Sequence, residues 1–195
     1  MNNFDVIVVG GGPGGIFTAI TAAERGFKVA LLEKNKRIGN KILIAGSGKC
    51  NLTHTGKPKE FFDKYGKNGK FLKDSLNRYS PEMLKNFFRE NGLPLVLVEE
   101  TGKYFPETFS SLDVVELLKK KMLSLNIEIM VSTKIEKIQK KLGIFSIFTD
   151  RGVYNCDNLV LATGGKSYPE VGTTGDGYVI AKEFGHKIIP PKPAL

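Results

Sequence analysis

The chain is poor in cysteine, poor in arginine and has no long apolar run. Its 195 residues include two cysteines, Cys50 and Cys156, far apart and neither in a C-x-x-C pair. A disulfide-reductase mechanism is therefore unsupported. No apolar stretch approaches the roughly 20 residues of a membrane-crossing helix. No secretory leader is legible, because Asp5 precedes the first apolar run and that run, Val6 to Val9, meets glycine at once. These absences predict a cytoplasmic protein without a membrane partner.

Basic charge is carried by 24 Lys against only 5 Arg, and the net charge is +9. The lysines are scattered, with short runs at Lys119–Lys121 and Lys140–Lys141, and no basic motif interleaved with aromatics occurs. Specific nucleic-acid readers concentrate arginine in recognisable motifs, so the lysines read as solvated faces and no nucleic-acid partner is expected. The two histidines are His54, in a loop and read as solvent-exposed, and His186, read as structural. No metal site is expected, and no catalytic residue is assigned.

What is present begins at residue 5, with DVIVVGGGPGGIFTAITAAERGFKVALLE. An apolar β run meets Gly10-x-Gly12-x-x-Gly15, a helical pattern follows, and a second β run ends on Glu33. Gly10 allows the tight turn, Gly12 lets backbone approach a pyrophosphate, and Gly15 lets the helix pack close to the sheet. Gly11, Pro13 and Gly14 complete the loop. The helix starts with unsatisfied N–H groups, and its macrodipole adds about 0.3–1 kcal/mol toward an anion. A methyl is expected to do more damage at Gly12 than at Gly11, since only the first would face a pyrophosphate. Glu33 stands where a carboxylate accepts both hydroxyls of an adenosine ribose. A lone G-x-G-x-x-G is weak, but Ala19 and Ala22 are small on the sheet side, Gly26 ends the helix, and Val29, Leu31 and Leu32 supply the second buried strand. The unit is a dinucleotide-binding βαβ, whose chemistry alone does not separate FAD from NAD.

Farther along, Ile42 to Ala45 is a short apolar run inside a glycine-rich loop, and residues 56–78 read as loops with one short helix. Ser80-Pro81-Glu82 starts a helix and Asn91-Gly92 stops it, with Met83, Leu84, Phe87 and Phe88 apolar. Leu95–Glu99 and Lys103–Phe105 suggest a hairpin. A helix over Leu112–Leu125 opens with a capping pair, Ser110 and Asp113. Ile127–Val131 reads as a third parallel strand. Ile135–Ile138, Ile144–Thr149 and Gly152–Asn155 form a three-stranded meander, and Asn158–Ala162 returns as a separate parallel strand. Cys156 reads as a small core residue. The fold class is α/β, Rossmann-like, with a parallel sheet and a β-meander.

This order is similar to the FAD-binding domains of flavoproteins with two dinucleotide sites, and on that resemblance FAD is the preferred cofactor. Two motifs narrow it. Lys41-Ile42-Leu43-Ile44-Ala45-Gly46-Ser47-Gly48-Lys49-Cys50-Asn51-Leu52-Thr53, and Ala162-Thr163-Gly164-Gly165-Lys166-Ser167-Tyr168-Pro169 followed by Gly172-Thr173-Thr174-Gly175-Asp176-Gly177-Tyr178, resemble the bacterial BaiN/YhiN-like flavoproteins. Members carry the labels NAD(P)/FAD-dependent oxidoreductase and aminoacetone oxidase. The second motif is also similar to the T-G-D-G segment of fumarate reductases. The chain departs from the family with Lys49 where Arg is usual and His54 where Asn is common; lysine cannot form a bidentate fork.

The resemblance implies a cofactor set beyond the βαβ unit. Gly46, Gly48 and Asn51 would pass backbone N–H groups along the ribityl and flavin, and Lys41 or Lys49 would neutralise the diphosphate or flavin edge. Lys34, Ile135, Ala162, Thr163, Gly164 and Gly165 join the same set. Asp176 is either an acid at a helix N-terminus or a ligand for a cofactor hydroxyl. Cys50, beside Lys49, is either a thiolate acting on substrate or a small residue that lets the loop pack against the flavin, and the lack of a partner cysteine and base favours packing.

The expected activity is hydride transfer between flavin N5 and a small-molecule substrate, an organic acid, a steroid-like molecule or an amine, with NAD(P)H as electron donor. Lys34, Lys36 and Arg37 could serve that donor but read more simply as solvated charge. Two other readings are an RNA-associated flavoprotein related to tRNA-modifying FAD proteins, suggested by the +9 charge, and an NAD-binding Rossmann module. Residues 1–189 read as an FAD-binding domain whose returning C-terminal segment is absent, and 190–195 as the start of a linker to a substrate domain. No oligomeric state is expected over another.

Overall fold

A computed structural model of the chain describes residues 2–192, apart from the side chains of Asn2, Asp63 and Lys67. Two compact units emerge, one formed by residues 1–41 and 118–195, the other by 42–117. In chain order the strands and helices are β1 (Asn2–Val9), α1 (Pro13–Glu24), β2 (Val29–Leu32), α2 (Asn40–Ile44), β3 (Thr53–His54), α3 (Pro58–Phe62), α4 (Lys73–Arg78), α5 (Pro81–Glu90), β4 (Leu95–Val98), β5 (Lys103–Pro106), α6 (Ser111–Ser124), β6 (Glu128–Met130), β7 (Ile135–Lys141), β8 (Ile144–Thr149), β9 (Gly152–Leu161) and α7 (Asp176–Glu183).

The first unit is built on one six-stranded sheet in the order β6-β2-β1-β9-β8-β7. Strands β6, β2, β1 and β9 run parallel, and β9, β8 and β7 antiparallel. The third parallel strand and the meander are where the hydrophobic pattern places them. One boundary differs. The third meander strand and the returning parallel strand are a single strand, β9, paired through residues 152–156 with β8 and through residues 154–161 with β1. Polar Asn155, Asp157 and Asn158 read as a break, yet in a strand such residues can point away from the core, and Cys156 between them is 2% exposed.

Every residue of β2 is buried, as a strand covered on both faces requires. Alternation sends Ile7, Val9, Ala30 and Leu32 into a cluster with Ile138, Ile147 and Cys156. The opposite face receives α1, whose buried residues are Gly15, Ile16, Ala19 and Ile20. Each fully buried Ile, Leu or Val contributes about 1.5–3 kcal/mol, so this packing fixes where the β1–α1 turn sits.

The second unit carries a three-stranded antiparallel sheet, β3-β5-β4, with the expected hairpin in register Leu95↔Pro106 to Val98↔Lys103. Helix α5 starts as read: the Ser80 hydroxyl accepts the Met83 N–H at 3.2 Å. Two expectations are corrected. Asn40–Ile44 is a helix rather than loop, one turn being too short to show a period. At α6 the Asp113 carboxylate accepts the Thr108 hydroxyl at 2.5 Å, in place of a Ser110 pair, while the Ser111 hydroxyl donates to the Leu43 carbonyl. Among the described residues no helix is long and apolar enough to cross a membrane.

Candidate dinucleotide-binding site

Strand β1 delivers the chain into a turn whose glycines have two different jobs. Gly10 has φ 111°, and a Cβ there would stand 2.4 Å from the Ala162 carbonyl oxygen; a Cβ on Gly15 would stand 1.8 Å from the Gly10 carbonyl oxygen. Those two are fixed by packing against protein. At Gly12 and Gly14 a Cβ would meet nothing within 4 Å, so the space before them is open. Helix α1 begins there with no side-chain cap and with Pro13 at its first position. Its first-turn N–H groups therefore face open space at the positive end of the helix dipole. That combination suits an anion.

Gly11 is constrained in a way the glycine spacing does not show. A methyl there would lie 2.8 Å from Ile38 Cγ2 and 3.1 Å from Glu33 Oε2, so its cost falls on packing rather than on a ligand.

Glu33, at the end of β2, is only 9% exposed. Its Oε2 accepts the Gly11 N–H at 2.7 Å, and its Oε1 accepts the backbone N–H and the side-chain Nδ2 of Asn35 at 2.8 and 2.7 Å. A buried carboxylate needs such donors, and here they tie the end of β2 to the glycine turn. Glu33 thus holds the loop as well as facing the cavity. Asn35, two residues on, is a site residue that the sequence reading misses; a short amide just past a strand is the available signal.

The first unit encloses a cavity of about 890 Å3, within the usual range for ligand sites. It gathers Gly10, Gly11, Gly12, Pro13 and Gly14 from the turn, Glu33, Lys34 and Lys41 from beyond β2, Ile135 from β7, and Ala162, Thr163, Gly164 and Asp176 from beyond β9. Gly15 lies beneath the turn, and a Cβ on Gly165 would stand 3.5 Å from the Tyr178 hydroxyl; neither glycine lines the cavity. Gly46, Gly48, Lys49, Cys50 and Asn51 belong to the second unit. There Gly46, Ser47, Gly48 and Cys50 all have positive φ, and the turn closes through the Cys50 N–H to the Ala45 carbonyl at 2.9 Å.

Two lysines at the cavity are held by hydrogen bonds. Lys34 Nζ donates to Asp176 Oδ2 at 2.6 Å and to the Thr174 hydroxyl at 2.7 Å. Burial works against the Asp176 charge, but the Lys34 and Thr174 hydrogen bonds outweigh it and hold the carboxyl below its ordinary range. Asp176 is thus an acid in the first turn of α7, matched to its dipole. Lys41 Nζ donates to the Ser167 hydroxyl at 2.6 Å and lies 5.2 Å from the Tyr168 ring centre. Cys50 is buried, and burial pushes its thiol up to about 11, a direction that favours the packing reading over the thiolate. His54 and His186 are both exposed.

The HI0933-like protein Rossmann domain family matches residues 4–192. The chain belongs to that family. Its members are the BaiN/YhiN-like flavoproteins that the two motifs resemble. A 3-dehydro-bile acid delta(4,6)-reductase of Clostridium scindens is 31% identical over 191 residues, covering 96% of this chain and 46% of that protein. A ribosomal RNA dihydrouridine synthase of Haemophilus influenzae is 32% identical over 193 residues, covering 97% and 47%. The HI0933-like chain thus spans about half the length of these curated relatives. The Sdh1 complex of Mycobacterium smegmatis superposes with a TM-score of 0.64 at 19% identity, over 85% of this chain and 35% of that one, a likeness of fold.

Proposed function

We propose that the first unit binds FAD and that the whole protein is a flavin-dependent reductase that saturates a carbon–carbon double bond conjugated to a carbonyl. The observation that carries the dinucleotide reading is the open space before Gly12 and Gly14 at the uncapped start of α1, with a buried carboxylate, Glu33, one strand away, and membership of a flavoprotein family favours FAD as that dinucleotide. In this reading the diphosphate takes the α1 N–H groups, and the adenosine ribose takes the acceptor capacity left on Glu33. Lys41 and the Lys34–Asp176 pair supply charge around the same cavity. FAD, when bound, supplies hydride chemistry at its N5. Thr163 and Gly164 place backbone at the end of β9, and Thr163 Oγ1 accepts the Gly177 N–H, which fixes the start of α7 beside the cavity.

The reaction class comes from what the two relatives' names share: a delta(4,6)-reductase and a dihydrouridine synthase both saturate a double bond next to a carbonyl. The substrate is then either a small enone or a uracil base within RNA. The second reading has an observation in its favour, since the first unit carries 18 Lys and Arg against 10 Asp and Glu, while the second carries 11 against 10. Positive charge near an RNA-modifying site would attract phosphates. The test is anaerobic reduction of the purified full-length protein by NADH or NADPH, then reoxidation by a steroid enone or by a ribosomal RNA fragment. Reoxidation by the enone alone supports the small-molecule reading, by RNA alone the RNA reading. Failure of both, with the flavin bound and reduced, overturns the reaction class.

A further inference from the structure

We propose that residues 165–174 form a hinged flap on the dinucleotide cavity, latched shut by Lys34 and Lys41. The inference rests on the reading of that cavity as a dinucleotide site. Three observations within the first unit carry it.

The flap has hinges. It is bounded by Gly164 at φ 76° and Gly175 at φ 87°, both in the left-handed region where a side chain is strained. Just outside those glycines the chain is fixed: the Gly177 N–H donates to Thr163 Oγ1 at 3.1 Å, so the two hinge ends are held together while the residues between them project.

The flap also moves as a body, because it is braced internally. The Thr173 hydroxyl donates to the Tyr168 carbonyl at 2.7 Å and accepts the Tyr168 N–H at 2.9 Å, and the Thr173 N–H returns to the same carbonyl. A single turn over Pro169–Val171 fills the middle. No residue from 165 to 174 is buried, so little apolar burial holds it down. Segments with few buried contacts lie at the low end of local stability.

What does hold it is polar and comes from one stretch, residues 34–41. Lys34 bonds Thr174 at one end, Asn35 Nδ2 reaches the Val171 carbonyl at 3.5 Å, and Lys41 bonds Ser167 toward the other end with its ammonium 5.2 Å from the Tyr168 ring centre. Val171, Gly172, Thr173 and Thr174 line the cavity, so lifting the flap opens one wall of it. Hydrogen bonds from exposed side chains to neutral acceptors compete with water and hold weakly, which suits a latch that opens often. Closed, the flap slows both entry and exit of a dinucleotide.

The flap carries its own reporter, the exposed Lys166, followed by Ser167 at a bond trypsin can cut. The experiment uses the full-length protein as wild type, Ser167→Ala and Lys34→Met, and compares trypsin cleavage after Lys166 with cleavage after Lys187, with and without FAD. It also follows FAD association and dissociation by stopped-flow fluorescence. Both variants should speed cleavage after Lys166 about two- to fivefold. Ser167→Ala should also raise the FAD on- and off-rates together, with a smaller change in their ratio, whereas Lys34→Met, which removes a positive charge from the cavity as well, should raise the off-rate; FAD should protect the bond. Unchanged cleavage and unchanged rates in both variants, with FAD still binding, overturn the flap and leave the dinucleotide reading standing. No FAD binding by the wild type overturns the dinucleotide reading and the flap's role with it.

Discussion

Replacing Glu33 with glutamine separates the two jobs the structure gives that carboxylate. Three donors converge on it: the backbone N–H groups of Gly11 and Asn35, on opposite oxygens, and the Asn35 side-chain amide. A glutamine keeps one oxygen and turns the other into an NH2. The Asn35 amide can rotate to accept that NH2, but the backbone donors cannot move, so one of them is left facing another donor. Leaving a buried donor unpaired costs about 1–3 kcal/mol, and the remaining bonds lose their charge assistance. The expected loss is about 2–4 kcal/mol of stability, read by chemical denaturation. FAD affinity should fall roughly tenfold to a hundredfold, read by fluorescence titration, because the turn that presents the α1 N–H groups loses its anchor. Full stability with weakened FAD would mean that Glu33 serves only the ribose. Unchanged stability and unchanged affinity would refute the reasoning altogether.

Gly12→Ala should leave the stability of the FAD-free protein within about 1 kcal/mol while sharply weakening FAD, whereas Gly11→Ala should destabilise the protein itself through Ile38 and Glu33; equal losses of stability would contradict the open space before Gly12. Cys50→Ser in the full-length protein should keep bound FAD and most of its reduction by NAD(P)H, and Cys50 should react slowly with iodoacetamide at neutral pH, because burial pushes its thiol up to about 11. Rapid alkylation at neutral pH would show a thiolate. Asp176 has a lowered folded-state value, so its contribution is present above its ordinary 3.8 and lost as pH falls through the lower folded value; Asp176→Asn should remove that acid-side dependence, and the half-exposed pair keeps the effect small. An Asp176→Asn protein with the same acid dependence as wild type would contradict the Lys34 pairing.

How much can be read from sequence follows from how local each feature is. The βαβ unit, the third parallel strand and the hairpin at Leu95–Pro106 are legible because glycine spacing, apolar periodicity and turn residues act within a few positions. The cap at Ser80 is legible for the same reason. The continuity of β9 is not, because its polar middle is tolerated only through pairing with β1 on one side and β8 on the other. At the site, the glycines and Glu33 are visible in the sequence, but the donors to Glu33 come from a turn 22 residues earlier and from Asn35. The pairing of Lys34 with Asp176 spans 142 residues, and no pattern of spacing announces it. The Gly11 contact with Ile38 is likewise a product of folding, so the packing cost of a methyl at Gly11 is legible only in the structure.

The central claim, that the glycine turn and Glu33 form a dinucleotide site, is tested most directly by a crystal structure of the full-length protein grown with FAD. The account predicts the diphosphate against the N–H groups at the start of α1, before Gly12 and Gly14, with the adenosine ribose at Glu33. FAD bound elsewhere, or bound here with its diphosphate away from α1, would contradict it.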